Sequence, residues 1–174
     1  MSSEALIAVE NHNGSIDSVM CENTEFNNTG QILLDHYPTL KRVKKLIKLG
    51  LLCELGLTPN PDYLTQEYIC DKDKFADLSS IEQEQISIER IGTVAYHRDL
   101  GGELLINQYS DLNAFTSSFE VLDFDYSFLF RRYKSRTGTK FHWFTIFNDL
   151  TIKNSKTKPN RWYLLSARLS TTTR

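Results

Sequence analysis

The stretch Thr93–Glu103 most constrains what this chain can fold into. It reads Thr-Val-Ala-Tyr-His-Arg-Asp-Leu-Gly-Gly-Glu. Its apolar start predicts a buried central strand over 91–96, and its charged end, His97, Arg98, Asp99 and Glu103, predicts a structural or ligand-binding cluster at the strand's exit. Three charged letters in a row do not make a catalytic site, because successive strand residues point to opposite faces. Arg98 paired with Asp99 or Glu103, tying down the strand end, is one reading of the cluster. A small enzyme centred on His97 and Asp99 is the other.

A buried strand needs a sheet around it, and the remaining sequence supplies one. Residues 5–10 and 15–21 predict an N-terminal hairpin through Asn11-His12-Asn13-Gly14. Residues 125–133 and 140–147 are aromatic strands joined by Lys134-Ser135-Arg136-Thr137-Gly138-Thr139, and 162–169 predicts a last strand, with a frayed tail from about residue 170. Helices are predicted over 30–37, from Thr39 as N-cap to Gly50, and from Asp111 onward with Leu112, Phe115 and Phe119 on one face. Ser79 and Glu82 have capping-box spacing. The fold class is therefore α+β: a single domain over 1–174, with a mostly antiparallel sheet packed by two or three helices. At 174 residues and 40% hydrophobic composition the chain can bury a core of its own.

Several functions lack sequence support. No GxSxG, GxGxxG or GxxxxGK[ST] pattern is present, and His97-Arg98-Asp99 has none of the companion motifs of a kinase. The four histidines, His12, His36, His97 and His142, lack HxxxH or HExxH spacing. Cys21, Cys53 and Cys70 are scattered, so neither a metal site, a cofactor nor a disulfide is expected. No apolar run is long enough for a membrane span and the N-terminus does not read as a signal peptide, so the expectation is a cytoplasmic protein without a membrane partner.

Charge gives the sharper signal. Residues 1–120 hold 9 Lys+Arg against 19 Asp+Glu, net −10, whereas residues 121–174 hold 11 against 3, net +8. Within the acidic part, Lys41, Arg42, Lys44, Lys45 and Lys48 form one basic helix face, whose plainest reading is a solvated surface. In the basic part, Arg131, Arg132, Lys134, Arg136 and Lys140 surround Tyr133, His142 and Trp143. Such a hairpin can seat an acidic protein, or grip phosphates and stack bases. Alternation also allows Phe128, Phe130, Phe141 and Trp143 to be core, with only the charges outside.

Finally, Ala8-Val9-Glu10-Asn11, Asn13-Gly14-Ser15, Gly30, Leu33-Leu34 and His36-Tyr37 resemble a group of small proteins from tailed bacteriophages and prophages. The likeness continues through Lys44-Lys45-Leu46-Ile47 and Leu49-Gly50 to an Ala-Tyr-His-Arg-Asp-x-Gly-Glu signature. That signature is matched by Ala95 to Asp99, Gly101 and, after one extra Gly102, Glu103, and an aromatic strand, residues 125–130, follows. The likeness covers residues 5–130. A Trp-Asp-Gly-Tyr stretch near 22–28 is absent, and the basic region 131–174 is an extension. The resemblance implies an early accessory protein of the T-even host-takeover kind, made in the host cytoplasm. Such a protein binds and inhibits or modulates a host protein: a protease, a transcription component or a defence enzyme. On this reading the chain is not an enzyme. The charge pattern, rather than the resemblance, gives the partner-binding residues Arg131, Arg132, Tyr133, Lys134, Arg136, Lys140 and Trp143 and a partner with an acidic surface; self-association stays open. Nucleic-acid binding through the same hairpin is the alternative.

Overall fold

The structure is a computed structural model that describes residues 3–61, 76–83, 92–118, 124, 126–135, 138–147 and 162–172. Its centre is not residues 91–96 but the first strand, β1 (Ser3–Glu10). Every side chain from Ala5 to Val9 is fully buried. A strand buried on both faces needs apolar residues at successive positions, and Ala-Leu-Ile-Ala-Val supplies them. β1 pairs antiparallel with β2 (Ile16–Thr24) and parallel with β6 (Tyr126–Ser135). Gly14, at φ +89°, turns the chain between β1 and β2, and Asn11 N–H closes that turn on the Ser15 carbonyl at 2.7 Å.

The sheet runs β4-β3-β2-β1-β6-β7-β8, and β5 pairs β2 off that path. β3 is Leu52–Glu54, β4 Val94–Ala95, β5 Asn107–Tyr109, β7 Gly138–Phe147 and β8 Tyr163–Leu164. Most pairings are antiparallel; β1 with β6 and β2 with β3 are parallel. The helices are α1 (Phe26–His36), α2 (Leu40–Ile47), α3 (Tyr96–Leu100), α4 (Leu112–Thr116) and α5 (Leu165–Thr172). The α+β class with a mostly antiparallel sheet stands as expected.

Alternation along the strands divides the core in two. Ala5, Ile7, Val9, Phe128, Phe130 and Trp143 pack with Leu33 and Tyr37, with Val43 and Leu46 of α2, and with Leu165 of α5. The opposite face carries Leu6, Ala8, Ile16, Leu129 and Ile146 under Phe115 of α4, whose ring stacks on Trp162 at 5.8 Å. Asp111 caps α4 by accepting from Ala114 N–H at 2.8 Å, and Thr39 caps α2 by accepting from Arg42 N–H.

Several expectations change. The strand expected over 91–96 shrinks to Val94–Ala95 at the sheet edge, and Tyr96 already opens α3. The last strand is only Tyr163–Leu164. The chain then turns helical, and Leu165 and Leu169 reach Gly30 of α1, where an added Cβ would stand 3.3–3.4 Å from their methyls. Leucines four apart lie on one helix face, and that packing overrides the strand reading; α5 runs to Thr172, the last described residue. The hairpin strands reach Ser135 and Gly138, so the connecting loop is shorter than expected. Helix α1 also starts earlier than expected, at Phe26, whose ring stacks on Phe128 at 5.7 Å. Cys70 and Phe119 lie outside the described residues.

Candidate functional site

The His97–Arg98–Asp99 cluster is built into α3. Asp99 Oδ2 accepts from the Ala95 N–H at 2.8 Å, fixing the helix start. Gly101, at φ +69°, ends the helix, and Gly102 N–H returns to the Tyr96 carbonyl at 2.9 Å. Arg98 grips Asp99 with two bonds, Nε to Oδ1 and a terminal nitrogen to Oδ2, both 2.7 Å. Its guanidinium also donates to the Pro59 carbonyl at 2.7 Å and to the Thr93 carbonyl. The Asp99 side chain is only 3% exposed. The pair therefore ties the strand end to the loop before it, and Asp99, not Glu103, is the partner. Glu103 is exposed.

That tie belongs to a larger buried network. Four successive carbonyls, Gly56 to Pro59, each accept from a side chain. Tyr37 Oη donates to Gly56 at 2.9 Å, Arg42 to Leu57 at 3.2 Å, Thr93 Oγ1 to Thr58 at 2.8 Å and Arg98 to Pro59. Gly56 N–H donates to Thr93 Oγ1 at 3.1 Å. A Cβ on Gly56 would stand 2.2 Å from the Gly92 carbonyl oxygen, so only glycine fits. Burial pushes the Tyr37 phenol up to about 12. Sequence reasoning singled out Arg98 and Asp99 but missed Tyr37 and Gly56; the fixed Gly56 next to the Thr58-Pro59 turn was the available signal.

This geometry weakens the enzymatic reading of His97 and Asp99. The Asp99 carboxylate is neutralised by a bidentate arginine and committed to a helix start, which leaves it a poor base. His97 Nδ1 lies 3.0 Å from the Gly102 carbonyl, which can only accept, so Nδ1 carries the hydrogen. His97 is an exposed side chain closing a turn. Nearby, Tyr96 Oη donates to Glu22 Oε2 at 2.7 Å, and that bond raises the phenol's pKa.

The hairpin is different. β1 accompanies β6 only as far as Val9↔Phe130, whereas the β6–β7 ladder continues from Arg131↔His142 to Ser135↔Gly138. The distal pairs form an arm that outruns β1. Arg131 and Arg132 anchor its base: Arg131 Nε lies 3.5 Å from Glu10 Oε2, Arg132 N–H donates to that same oxygen at 3.1 Å, and the Arg132 guanidinium donates to the His12 carbonyl at 2.9 Å. Beyond them Tyr133, Lys134 and Lys140 are exposed, Tyr133 at 49%. Alternation puts Tyr133, Lys140 and His142 on one face and Lys134 on the other. The Tyr133 ring meets the His142 ring edge-on at 5.9 Å.

Trp143 departs from the expected partner-binding set. It is 3% exposed, packs on Phe130 at 5.0 Å and donates Nε1–H to the Tyr37 carbonyl at 3.0 Å, so it is core. Phe128 and Phe130 are core too, and Phe141 stacks on Phe130 at 5.4 Å. Arg136 lies outside the described residues. Of the expected set, the described residues that stay exposed beyond the anchored base are Tyr133, Lys134 and Lys140, with His142 half-buried beside Tyr133.

Among the described residues no three His, Cys, Asp or Glu side chains gather as a metal site, and no helix is long and apolar enough to cross a membrane. No family model, curated protein or solved structure matches this chain.

Proposed function

We propose that this chain is a binding protein that docks the distal β6–β7 arm onto an acidic surface of a partner protein. One observation carries the reading: the arm extends beyond β1 and exposes the Tyr133 ring with Lys140 beside it on the same face and Lys134 on the other. Neither lysine side chain makes a hydrogen bond or ion pair with a described residue. A half-exposed tyrosine with cations beside it can bury its ring while the charges steer approach. In the setting that the phage resemblance implies, the partner is a host protein that this one inhibits or redirects.

A protein partner fits better than nucleic acid. Arg131 and Arg132 are held by Glu10 and the His12 carbonyl, and Lys134 and Lys140 lie on opposite faces, so the described residues of the arm form no single basic track for a phosphate backbone. The net −10 of residues 1–120 would also repel a strand extending past the arm. The test is affinity capture from a bacterial lysate, with and without nuclease, comparing the native chain with Y133A/K134E/K140E. A protein retained after nuclease by the native chain and lost by the variant is expected. Nuclease-sensitive retention, or equal capture by both, refutes the reading.

A further inference from the structure

The basic helix α2 remains without a role, and it lines a cleft. Thr39, Lys41, Arg42 and Lys45 form one wall and Thr58, Pro59 and Asn60 the other, around a volume of about 320 Å³. We propose that this cleft binds a phosphomonoester carried on a small molecule.

The lining chemistry argues for a multiply charged anion. Among the described residues, seven line it; three of these are cations and none is acidic. Helix α2 itself, Leu-Lys-Arg-Val-Lys-Lys-Leu-Ile, has no acidic residue, and Lys41 and Lys45 stand four apart on one face. Like charges at that spacing repel. Neither lysine pairs with a described carboxylate. A bound dianion removes that repulsion.

The donors are also held in place beforehand. Arg42 is anchored by the Leu57 carbonyl at 3.2 Å and lies 5.8 Å from the Tyr37 ring centroid, so its remaining N–H groups are oriented without a ligand. Thr39 Oγ1 accepts from Arg42 N–H and Thr58 Oγ1 from Asn60 N–H, so each hydroxyl keeps its own hydrogen to donate. The opposite wall is the segment whose carbonyls are tied by Tyr37, Arg42, Thr93 and Arg98. Rigid walls, two hydroxyls, an amide and three cations match a phosphoryl group's several acceptor oxygens better than a lone carboxylate. The volume, near the lower end of ordinary ligand pockets, suits a phosphate with a short polar body. Among the described residues no aromatic side chain lines it, which disfavours a stacked base.

Amide-resolved NMR titration of the full chain tests this, with inorganic phosphate and glycerol 3-phosphate as probes and sodium chloride holding ionic strength constant. Saturable shifts confined to residues 39–45 and 58–60 are expected, with glycerol 3-phosphate at least as tight as phosphate. K41Q/K45Q changes two exposed side chains and should weaken binding by about tenfold or more, whereas K134E/K140E on the arm should leave it unchanged. Shifts spread over all basic residues, no saturation, or equal binding of glutarate overturn the proposal. Undiminished affinity in K41Q/K45Q does so too. Because the wild-type map is read independently of any variant, a poorly folded variant would not rescue it.

Discussion

At the α3 corner and at the hairpin arm the chain concentrates charge in similar letters and uses it in opposite ways. Arg98 gives its guanidinium to Asp99, to the Thr93 carbonyl and to the Pro59 carbonyl, all within the protein. Lys134 and Lys140 stand exposed on a two-stranded arm beyond the end of β1. A charge absorbed into backbone ties buys shape, and a charge left at the end of an arm is available to a partner. Arg131 and Arg132 fall between the two, holding the base of the arm to Glu10 and His12.

The comparison can be broken from either side. The largest effect is expected at Gly56, where alanine would press its Cβ against the Gly92 backbone. Gly56→Ala should cost about 4 kcal/mol or more, or prevent folding, as read by urea unfolding. Arg98→Ala comes next: it strands the nearly buried Asp99 carboxylate and frees two carbonyls, at a cost of about 3 kcal/mol. If Arg98→Ala instead unfolds at the wild-type denaturant midpoint, the corner is not structural and the contrast fails.

Tyr37→Phe removes the donor to Gly56 and should cost about 1–2 kcal/mol at neutral pH. It also sharpens the account through pH. Burial raises the folded phenol to about 12 from an ordinary value near 10. Between those values the folded chain keeps a proton that the unfolded chain has lost, so raising pH through this window favours unfolding. The wild type should lose stability from pH 10 toward 12 more steeply than Tyr37→Phe. The smallest stability change is expected on the arm, where K134E/K140E should stay within about 0.5 kcal/mol of wild type by thermal melt.

Much of the α+β fold was legible because its determinants are local. The Asn11–Gly14 turn, the Thr39 and Asp111 caps, and the Ser79 capping box, whose Ser79 N–H donates to Glu82 Oε2 at 2.9 Å, all act within a few residues. What stayed hidden depended on distant partners. Residues 91–96 read as a central strand because Val94, Ala95 and Thr93 are buried, but their burial comes from the Tyr37 and Gly56 network rather than from two flanking strands. The segment after Tyr163 carries both strand and helix spacings, and only contact with Gly30 of α1 decides for the helix. On the candidate surface, composition could locate the arm. It could not separate Trp143, whose indole reaches the Tyr37 carbonyl, from Tyr133, which faces solvent.

The most direct test of the docking claim is the association rate with the protein captured from lysate, measured for wild type and K134E/K140E at low and at physiological salt. The wild-type rate should fall as salt rises, and the variant should associate about tenfold more slowly at low salt with little change in dissociation. Equal association rates for the two proteins at both salt concentrations would contradict the assignment of the arm as the docking surface.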